Sequence, residues 1–378
     1  MKIVYCLDTL CVLGGVERVT ITKANALADI KGNEVYIIVA EHRGEPFMTI
    51  NPKVNIINLD IQYYRDQGLS KLNGYKILIE ERFKHKKRLC NAINKINPNI
   101  VISTGKSEKY FMTKLNLNVN PILIREFHET KNHYNICSKT LFEKYWKYTA
   151  NKIQSYLLKK FDRLIVLTQE ERKFYNKNSP ISVIPNPIDI NHTYKSNSQN
   201  NIVIAAGRLS YEKNFKSLIS AWKKIVSIHP EWELHIWGEG ILKNKLQEQI
   251  NSSNLNKHIF LKGYSRNIIE EMSKGSLFVM TSISESFGLV LVEAMSCGLP
   301  VVSYSCPTGP REIISNDIDG FLVPENDEEE LANKIILLMD NKNKRIEMGN
   351  HALKKAQSFS VNNIIDKYMK LFIDLSKS

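Results

Sequence analysis

The sequence predicts an α/β protein of two domains, each a parallel sheet covered by helices, facing each other across a cleft. Three observations carry this. Short apolar, β-branched runs alternate with helical patterns along nearly the whole chain. The alternation is interrupted once, by a proline-bearing polar stretch near the middle, and then restarts. A length of 378 residues also exceeds one typical hydrophobic core.

Lys2 to Leu7 reads as the first strand, and Leu13-Gly14-Gly15 opens a helical pattern that runs through Leu27. Val35 to Ala40 is a continuous apolar run, hence a buried strand. Val54–Leu59, Ile100–Ser103, Pro121–Arg125, Leu164–Thr168 and Ile181–Ile184 extend the alternation. A helix from Ile77 to Ile96 carries a basic face of Arg82, Lys84, Lys86, Lys87 and Arg88. Pro185 and Pro187 then stop regular structure, and the Asn- and Ser-rich stretch Asn191–Asn201 reads as a linker. The first domain is therefore expected over 1–187 and the second over 200–360. In the second, Ile202–Ala206, Glu233–Trp237, His258–Lys262, Leu277–Met280 and Pro300–Tyr304 are strand-like. Helical sequence fills Asp327–Lys355, and a last amphipathic helix spans Val361–Leu375. The segment 361–378 is expected to pack back on the first domain.

Composition narrows the function. Hydrophobic content of 43% with 24% charged residues fits a globular protein. No apolar run is long enough to span a bilayer, because Glu285 and Glu293 interrupt the best stretch, Ser276–Tyr304. Asp8 ends the N-terminal apolar run before it makes an export signal, so a cytoplasmic protein is expected. The six cysteines (Cys6, Cys11, Cys90, Cys137, Cys297, Cys306) form no Cys-x-x-Cys pair or zinc spacing and read as reduced and structural. The net charge of +13 lies wholly in the first half: 31 Lys and Arg face 18 Asp and Glu through residue 200, and the remainder balances at 21 each. That asymmetry suits a membrane, lipid phosphate or nucleic acid, or simply a solvated lysine-rich surface.

Two segments carry candidate chemistry. Gly207-Arg208-Leu209-Ser210-Tyr211-Glu212-Lys213-Asn214 follows a strand and enters a helix. Two cations there suit a diphosphate, although ordinary surface lysines and arginines look the same in isolation. Glu285 to Glu293 sets two carboxylates eight positions apart, one before a helix (Gly288–Cys297) and one inside it. Glu293 is the only charge of an otherwise apolar helix, so it needs a partner: a sugar hydroxyl, or a neighbouring Arg or backbone group. Helical side chains tilt toward the N-terminus, which aims Glu293 at the end where Glu285 sits. Amides of Phe287, Gly288 and Leu289 would face a phosphate there. The loop Ser305–Glu312 reads structurally as a helix start, with Thr308 and Gly309 as weaker functional candidates.

In this ordered set the sequence resembles the family 4 glycosyltransferases, retaining enzymes with two Rossmann-like domains (the GT-B fold). Gly14-Gly15-Val16-Glu17 matches the family's N-terminal glycine loop, and Gly207-Arg208 with Lys213-Asn214 its phosphate-binding loop. Glu285 to Glu293 matches its Glu-x7-Glu element, and Gly320-Phe321-Leu322-Val323 its late Gly-φ-Leu-Val segment. The resemblance covers essentially the whole chain, most strongly residues 202–325. It implies an acceptor-binding first domain and a donor-binding second one. Arg208 and Lys213 would hold the donor diphosphate, Glu293 the ribose, and Glu285 the transferred sugar. Gly14 and Gly15 would approach the phosphates, with Glu17 on the acceptor side. His128 matches a family histidine near the donor sugar, and the base would lie by Gly263-Tyr264. The Ser305–Glu312 loop looks like a subgroup that builds bacterial surface polysaccharides.

The expected donor is a nucleotide sugar, most simply a UDP-sugar, transferred as hexose or N-acetylhexosamine with retention. No third carboxylate stands out as nucleophile, so the departing phosphate is expected to act as base on the same face. No dedicated metal cluster or Asp-x-Asp motif is read, so no metal or cofactor is expected. The basic helix, with Tyr63, Tyr64, Tyr75 and Phe83 nearby, suggests docking on an anionic membrane and a lipid-linked acceptor. Among alternatives, a nicotinamide dehydrogenase lacks its Gly-x-Gly-x-x-Gly loop after the first strand. A nucleotide-sugar epimerase, hydrolase or phosphorylase of the same fold would hydrolyse or rearrange the donor without acceptor. A basic nucleic-acid- or membrane-binding protein would bind no UDP-sugar, and no nucleic-acid recognition motif is present.

Overall fold

The computed structural model describes residues 1–12, 14–41, 43–63, 71–128, 156–191 and 193–377, of which 71–75 are described by backbone alone. Leu13, Tyr64, Cys137 and the side chain of Tyr75, named above, lie outside the described residues. The chain divides into two compact units. One comprises Met1–Leu167, Arg172–Pro187 and Ile364–Ser378; the other comprises Thr168–Glu171 and Ile188–Asn363.

The first unit holds strands β1 (Lys2–Leu7), β2 (Glu34–Val39), β3 (Val54–Asn58), β4 (Ile100–Ser103), β5 (Ile122–Glu126), β6 (Arg163–Val166) and β7 (Ile181–Val183). They form one sheet in the order β3-β2-β1-β4-β5-β6-β7, parallel throughout. Parallel strands need crossover connections: helix Gly15–Asp29 carries the chain from β1 to its neighbour β2, and helix Lys71–Ile96 from β3 back to β4 on the other side of β1. Burial on both faces explains why the strands read as unbroken apolar runs rather than as alternating ones. Val4, Ile38, Leu89, Ile93, Val101 and Val166 meet in its core.

The second unit holds β8 (Ile202–Ala206), β9 (Glu233–Trp237), β10 (Ile259–Gly263), β11 (Leu277–Met280), β12 (Val301–Tyr304) and β13 (Gly320–Val323). Their order is β10-β9-β8-β11-β12-β13, again all parallel. Trp222, fully buried, packs among Val203, Ile236, Val279 and Val302. In each sheet the strand order reverses beside the first strand, between β1 and β4 and between β8 and β11. Loops leaving such a pair diverge and open a crevice at the carboxyl ends of the strands.

Three sequence readings change. Asp327–Lys355 is two helices, Glu328–Asp340 and Lys342–Ala356, because the Asn341 side chain accepts the Lys344 amide at 2.9 Å and caps the second. The basic helix begins at Lys71, six residues earlier than the apolar pattern suggests. The Asn191–Asn201 stretch is fastened to the second unit: Lys195 donates to the Ser296 carbonyl at 2.6 Å, and buried Arg345 to the Ser198 carbonyl at 3.2 Å. Among the described residues the cysteines (Cys6, Cys11, Cys90, Cys297, Cys306) are free thiols.

Candidate functional site

The second unit gathers most of the candidate residues at the β8/β11 crevice. After β8 the chain turns through Gly207 and runs against the Gly238–Gly240 segment that follows β9. Gly207 N donates to the Trp237 carbonyl and Leu209 N to the Glu239 carbonyl, each at 2.9 Å. A Cβ at Gly238 would stand 1.9 Å from the Gly207 carbonyl oxygen, and one at Gly240 2.4 Å from that of Leu209. Both positions therefore require glycine, and both set the height of Arg208, whose side chain is exposed. Sequence reasoning passed over Gly238 and Gly240, although a Gly-x-Gly directly after a strand was the available signal. Tyr264, 54% exposed, follows Gly263, whose carbonyl accepts the Gly238 amide at 2.8 Å.

A short turn, Tyr211–Lys213, and Asn214 at φ 48° lead into helix Phe215–Ile228. The Lys213 ammonium pairs with Glu285 Oε1, the two side chains being 20% and 11% exposed. Glu285 Oε1 also accepts the Ser282 hydroxyl at 2.8 Å. Thr281 donates its hydroxyl to the Lys213 carbonyl at 3.0 Å, and the Ile283 amide donates to the Glu212 carbonyl at 2.9 Å. The two loops are thus laced together through backbone as well as charge.

Gly288 adopts φ 92° and ψ 54° before helix Leu289–Ser296, a conformation that favours glycine. No side chain caps this end, so its first amides are left without a side-chain acceptor. The Phe287 ring lies in the core, 2% exposed and edge-on to Phe359 at 5.6 Å. Its amide, not its ring, is what it offers a ligand. Glu293 is 1% exposed and is the helix's only charged residue. Thr308 and Gly309 hold the Glu285 loop from beneath: the Thr308 hydroxyl donates to the Glu285 carbonyl, and Gly309 abuts Phe287.

One Asp-x-Asp triplet does occur, Asp317-Ile318-Asp319, where none was expected. Asp319 is 2% exposed and accepts the Ser315 amide at 2.8 Å, while Asp317 sits at φ 64°. The triplet shapes the turn before β13.

In the first unit, Gly14 precedes helix Gly15–Asp29, and Gly15 is exposed. The Glu17 carboxylate lies over Gly14, where a Cβ would come within 2.1 Å of its Oε2. Burial pushes this carboxyl above its ordinary range. His128 meets Glu126 at the end of β5, Nε2 to Oε1 3.0 Å. The structure also reveals a cluster at the β1/β4 crevice that the sequence reading missed. Asp8 accepts the Lys106 amide at 2.7 Å and the Ser107 hydroxyl at 2.5 Å. Glu108, 1% exposed, accepts from Ser103 at 2.9 Å and faces Arg125 at 3.5 Å. Burial, with Asp8 adding, pushes the Glu108 carboxyl up to about 6. Nearby, Tyr63 meets His85 Nδ1 at 2.9 Å, and burial pushes that imidazole down to about 4.

Two family models match the chain: Glycosyltransferase Family 4 over residues 13–192, and Glycosyl transferases group 1 over residues 189–355. An amylovoran biosynthesis glycosyltransferase of Erwinia amylovora is 24% identical over 97% of this chain and 98% of its own length. A Campylobacter jejuni α-1,4-N-acetyl-D-galactosaminyltransferase, named for a diNAcBac-PP-undecaprenol substrate, is 26% identical over the full length of both. An exopolysaccharide phosphotransferase of Streptomyces coelicolor is 33% identical, but the match spans 57% of this chain and 23% of that protein. TarM of S. aureus, solved with fondaparinux, α-GlcNAc-glycerol and UDP, superposes with a TM-score of 0.76 at 19% identity, covering 98% of this chain and 99% of that one. The fold is that of the GT-B transferases.

Proposed function

Because this chain belongs to the family 4 glycosyltransferases, we propose that it moves a hexose or N-acetylhexosamine from a UDP-sugar, with retention, to a glycan or lipid-linked acceptor in surface polysaccharide biosynthesis. The Lys213–Glu285 pair at the β8/β11 crevice carries the reading. A diphosphate entering there competes with Glu285 for the ammonium. Lys213 turns to the phosphates beside exposed Arg208, and Glu285 is released toward the sugar hydroxyls. Both cations neutralise the charge that builds on departing UDP, the interaction that strengthens most in the transition state. The uncapped amides of Gly288 and Leu289 add helix N-terminal donors to a phosphate oxygen. Glu293 takes the ribose hydroxyls, and Tyr264 flanks the base. From the first unit, Gly14 and Gly15 offer main chain to the donor, Glu17 serves the acceptor, and His128 a sugar hydroxyl. The departing phosphate takes the acceptor proton on the face it leaves, which preserves configuration.

Support for the donor comes from the UDP bound to TarM, and support for the acceptor class from the undecaprenol-linked and amylovoran names of the relatives. The surface of helix Lys71–Ile96 fits work at the inner face of a membrane: Ile79 and Phe83 are 56% and 70% exposed, beside exposed Arg82, Lys87 and Arg88. No helix among the described residues is long and apolar enough to cross one. The test is titration with UDP, then UDP release from UDP-glucose, UDP-GlcNAc and UDP-GalNAc. Saturable UDP binding and a Lys213→Ala turnover about 10²–10³-fold lower are expected; absent binding, or an unchanged Lys213→Ala rate, refutes the reading.

A further inference from the structure

We propose that Glu170 is a positioning residue for Glu285, acting through the strained turn at Thr308 and Gly309. The proposal rests on the reading of Glu285 as the carboxylate that meets the transferred sugar, and adds what holds it in place.

Glu170 comes to this turn from far along the chain. Thr168–Glu171 is a short piece of the second unit, while the stretches that end at Leu167 and resume at Arg172 belong to the first. Thr168 is fully buried, and its hydroxyl accepts the Glu171 amide at 3.0 Å, which fixes the turn that carries Glu170. The Gln169 amide donates to Glu312 Oε1 at 3.0 Å, so the piece is fastened by main chain as well as by side chain. The Glu170 carboxylate then spans two partners. Its Oε2 accepts the Thr308 amide at 2.7 Å, and its Oε1 meets Arg311 Nη1 at 3.1 Å. Arg311 is held in turn, its Nε donating to the Ser305 carbonyl at 2.8 Å.

Thr308 stands at φ 62° and Gly309 at φ 49°. A β-branched residue rarely enters the left-handed region, and such backbone persists only where its surroundings over-determine it. Here the residue is fixed twice. Its amide goes to Glu170, and its hydroxyl to the Glu285 carbonyl. Glycine would suit the dihedral better but has no hydroxyl to offer Glu285. Thr308 is 1% exposed, so without Glu170 its amide would lose its partner in the interior, and the turn would relax to relieve it. The hydroxyl moves with that turn and takes its hold on the Glu285 main chain with it. Stability alone explains the pairing poorly. The Glu170 and Arg311 side chains are 24% and 43% exposed, a setting in which an ion pair adds little.

The test compares Glu170→Ala, Glu170→Gln and Glu285→Ala, with Gly309→Ala alone and in the Glu170→Ala background. Readouts are the melting temperature, UDP affinity by calorimetry, and kcat and KM for UDP-sugar turnover. Expected is a folded Glu170→Ala protein with kcat lower by about tenfold to a hundredfold. Its UDP affinity should be no weaker than the parent's, since Arg208 and Lys213 are left in place. Glu170→Gln, whose amide oxygen can still accept from Thr308, should recover most of kcat. Gly309→Ala should cost less in the Glu170→Ala background than alone, because residues acting as one unit are non-additive. A folded Glu170→Ala, or Glu170→Asp should the alanine variant melt below the assay temperature, with kcat within about twofold of the parent overturns the proposal. A glutamine variant as slow as the alanine one overturns it too. If Glu285→Ala turns over like the parent, the reading of Glu285 fails first and the proposal falls with it; a parental Glu170→Ala beside a slow Glu285→Ala sinks the positioning claim alone.

Discussion

Gly309→Ala isolates position from chemistry, because residue 309 has no group that could react. A Cβ there would stand 2.5 Å from the Phe287 carbonyl oxygen, 2.9 Å from its carbon and 3.2 Å from Glu285 Cβ. Carbon–oxygen contacts settle near about 3.3 Å, so the Phe287 peptide must retreat by about 0.8 Å, taking Glu285 and the Gly288 amide with it. Misplacing a reacting group by about 1 Å costs about 10²-fold in rate, so turnover should fall between about tenfold and a hundredfold. Backbone strain at φ 49°, ψ −96° adds a stability loss of about 1–3 kcal/mol. Gly298→Ala is the control: its φ of 77° is also positive, but the nearest atom to a Cβ is 3.9 Å away. It should lose stability and keep its rate. The assay is UDP release from the best UDP-sugar at a temperature well below both melting points. A folded Gly309→Ala protein turning over within about twofold of the Gly298→Ala control would refute the claim that this loop sets the height of Glu285.

Acid stability supplies a second test. His85 titrates near 6.5 when free and about 4 when folded, so its contribution is whole above 6.5 and is lost as pH falls toward 4, by about 3 kcal/mol. Glu108 acts oppositely, since its folded value is raised to about 6 and acidification relieves it, but over the smaller interval from 4.5. Depressed Glu126 adds to the His85 side. Urea midpoints should therefore fall from pH 6.5 to 4, with a shallower slope in His85→Gln; an equal slope would remove His85 from the account. Turnover is expected to persist in EDTA on the proposal that Arg208 and Lys213 neutralise the leaving group; loss of rate restored by a divalent cation contradicts that. Co-sedimentation with phosphatidylglycerol vesicles, weakened by Phe83→Ser with Lys87→Ser and absent with phosphatidylcholine, is expected of the basic helix. Indifference to lipid charge counts against docking there.

Much of the fold was legible because a parallel sheet buries both faces, so strands such as Ile202–Ala206 and Leu277–Met280 appear as plain apolar runs. One edge strand was harder. Gly320–Val323 was read as a motif rather than a strand, since four residues opening on glycine carry little periodic signal. The split at Asn341 was hidden because its cap is one local hydrogen bond within an otherwise continuous helical pattern. In the site, Arg208, Lys213, Glu285 and Glu293 announced themselves as charges beside strand ends or inside an apolar helix. The residues that hold them did not. Gly238 and Gly240 act through contacts with a strand neighbour about thirty residues away in sequence, and Asp8 was read only as the end of an apolar run. Lys23 looked like one more lysine in a basic half, and nothing local tells a buried lysine from a solvated one. Its partners Glu126 and Tyr368 are 103 and 345 positions away.

That last separation bears on how the protein is made. The first unit is assembled from residues up to Pro187 together with Ile364–Ser378, so it stays incomplete while the second unit is being synthesised. At about 5–20 residues per second, on the order of ten to forty seconds pass between the emergence of Pro187 and that of Tyr368. Throughout that interval the Lys23–Glu126 pair lacks its cover, and the seat later filled by buried Ile364, Ile365 and Phe372 is an open apolar groove on a nascent chain. Ribosome-bound chains halted before residue 361 should accordingly be protease-sensitive in the first unit and recruit chaperones, and release of the last helix should end both.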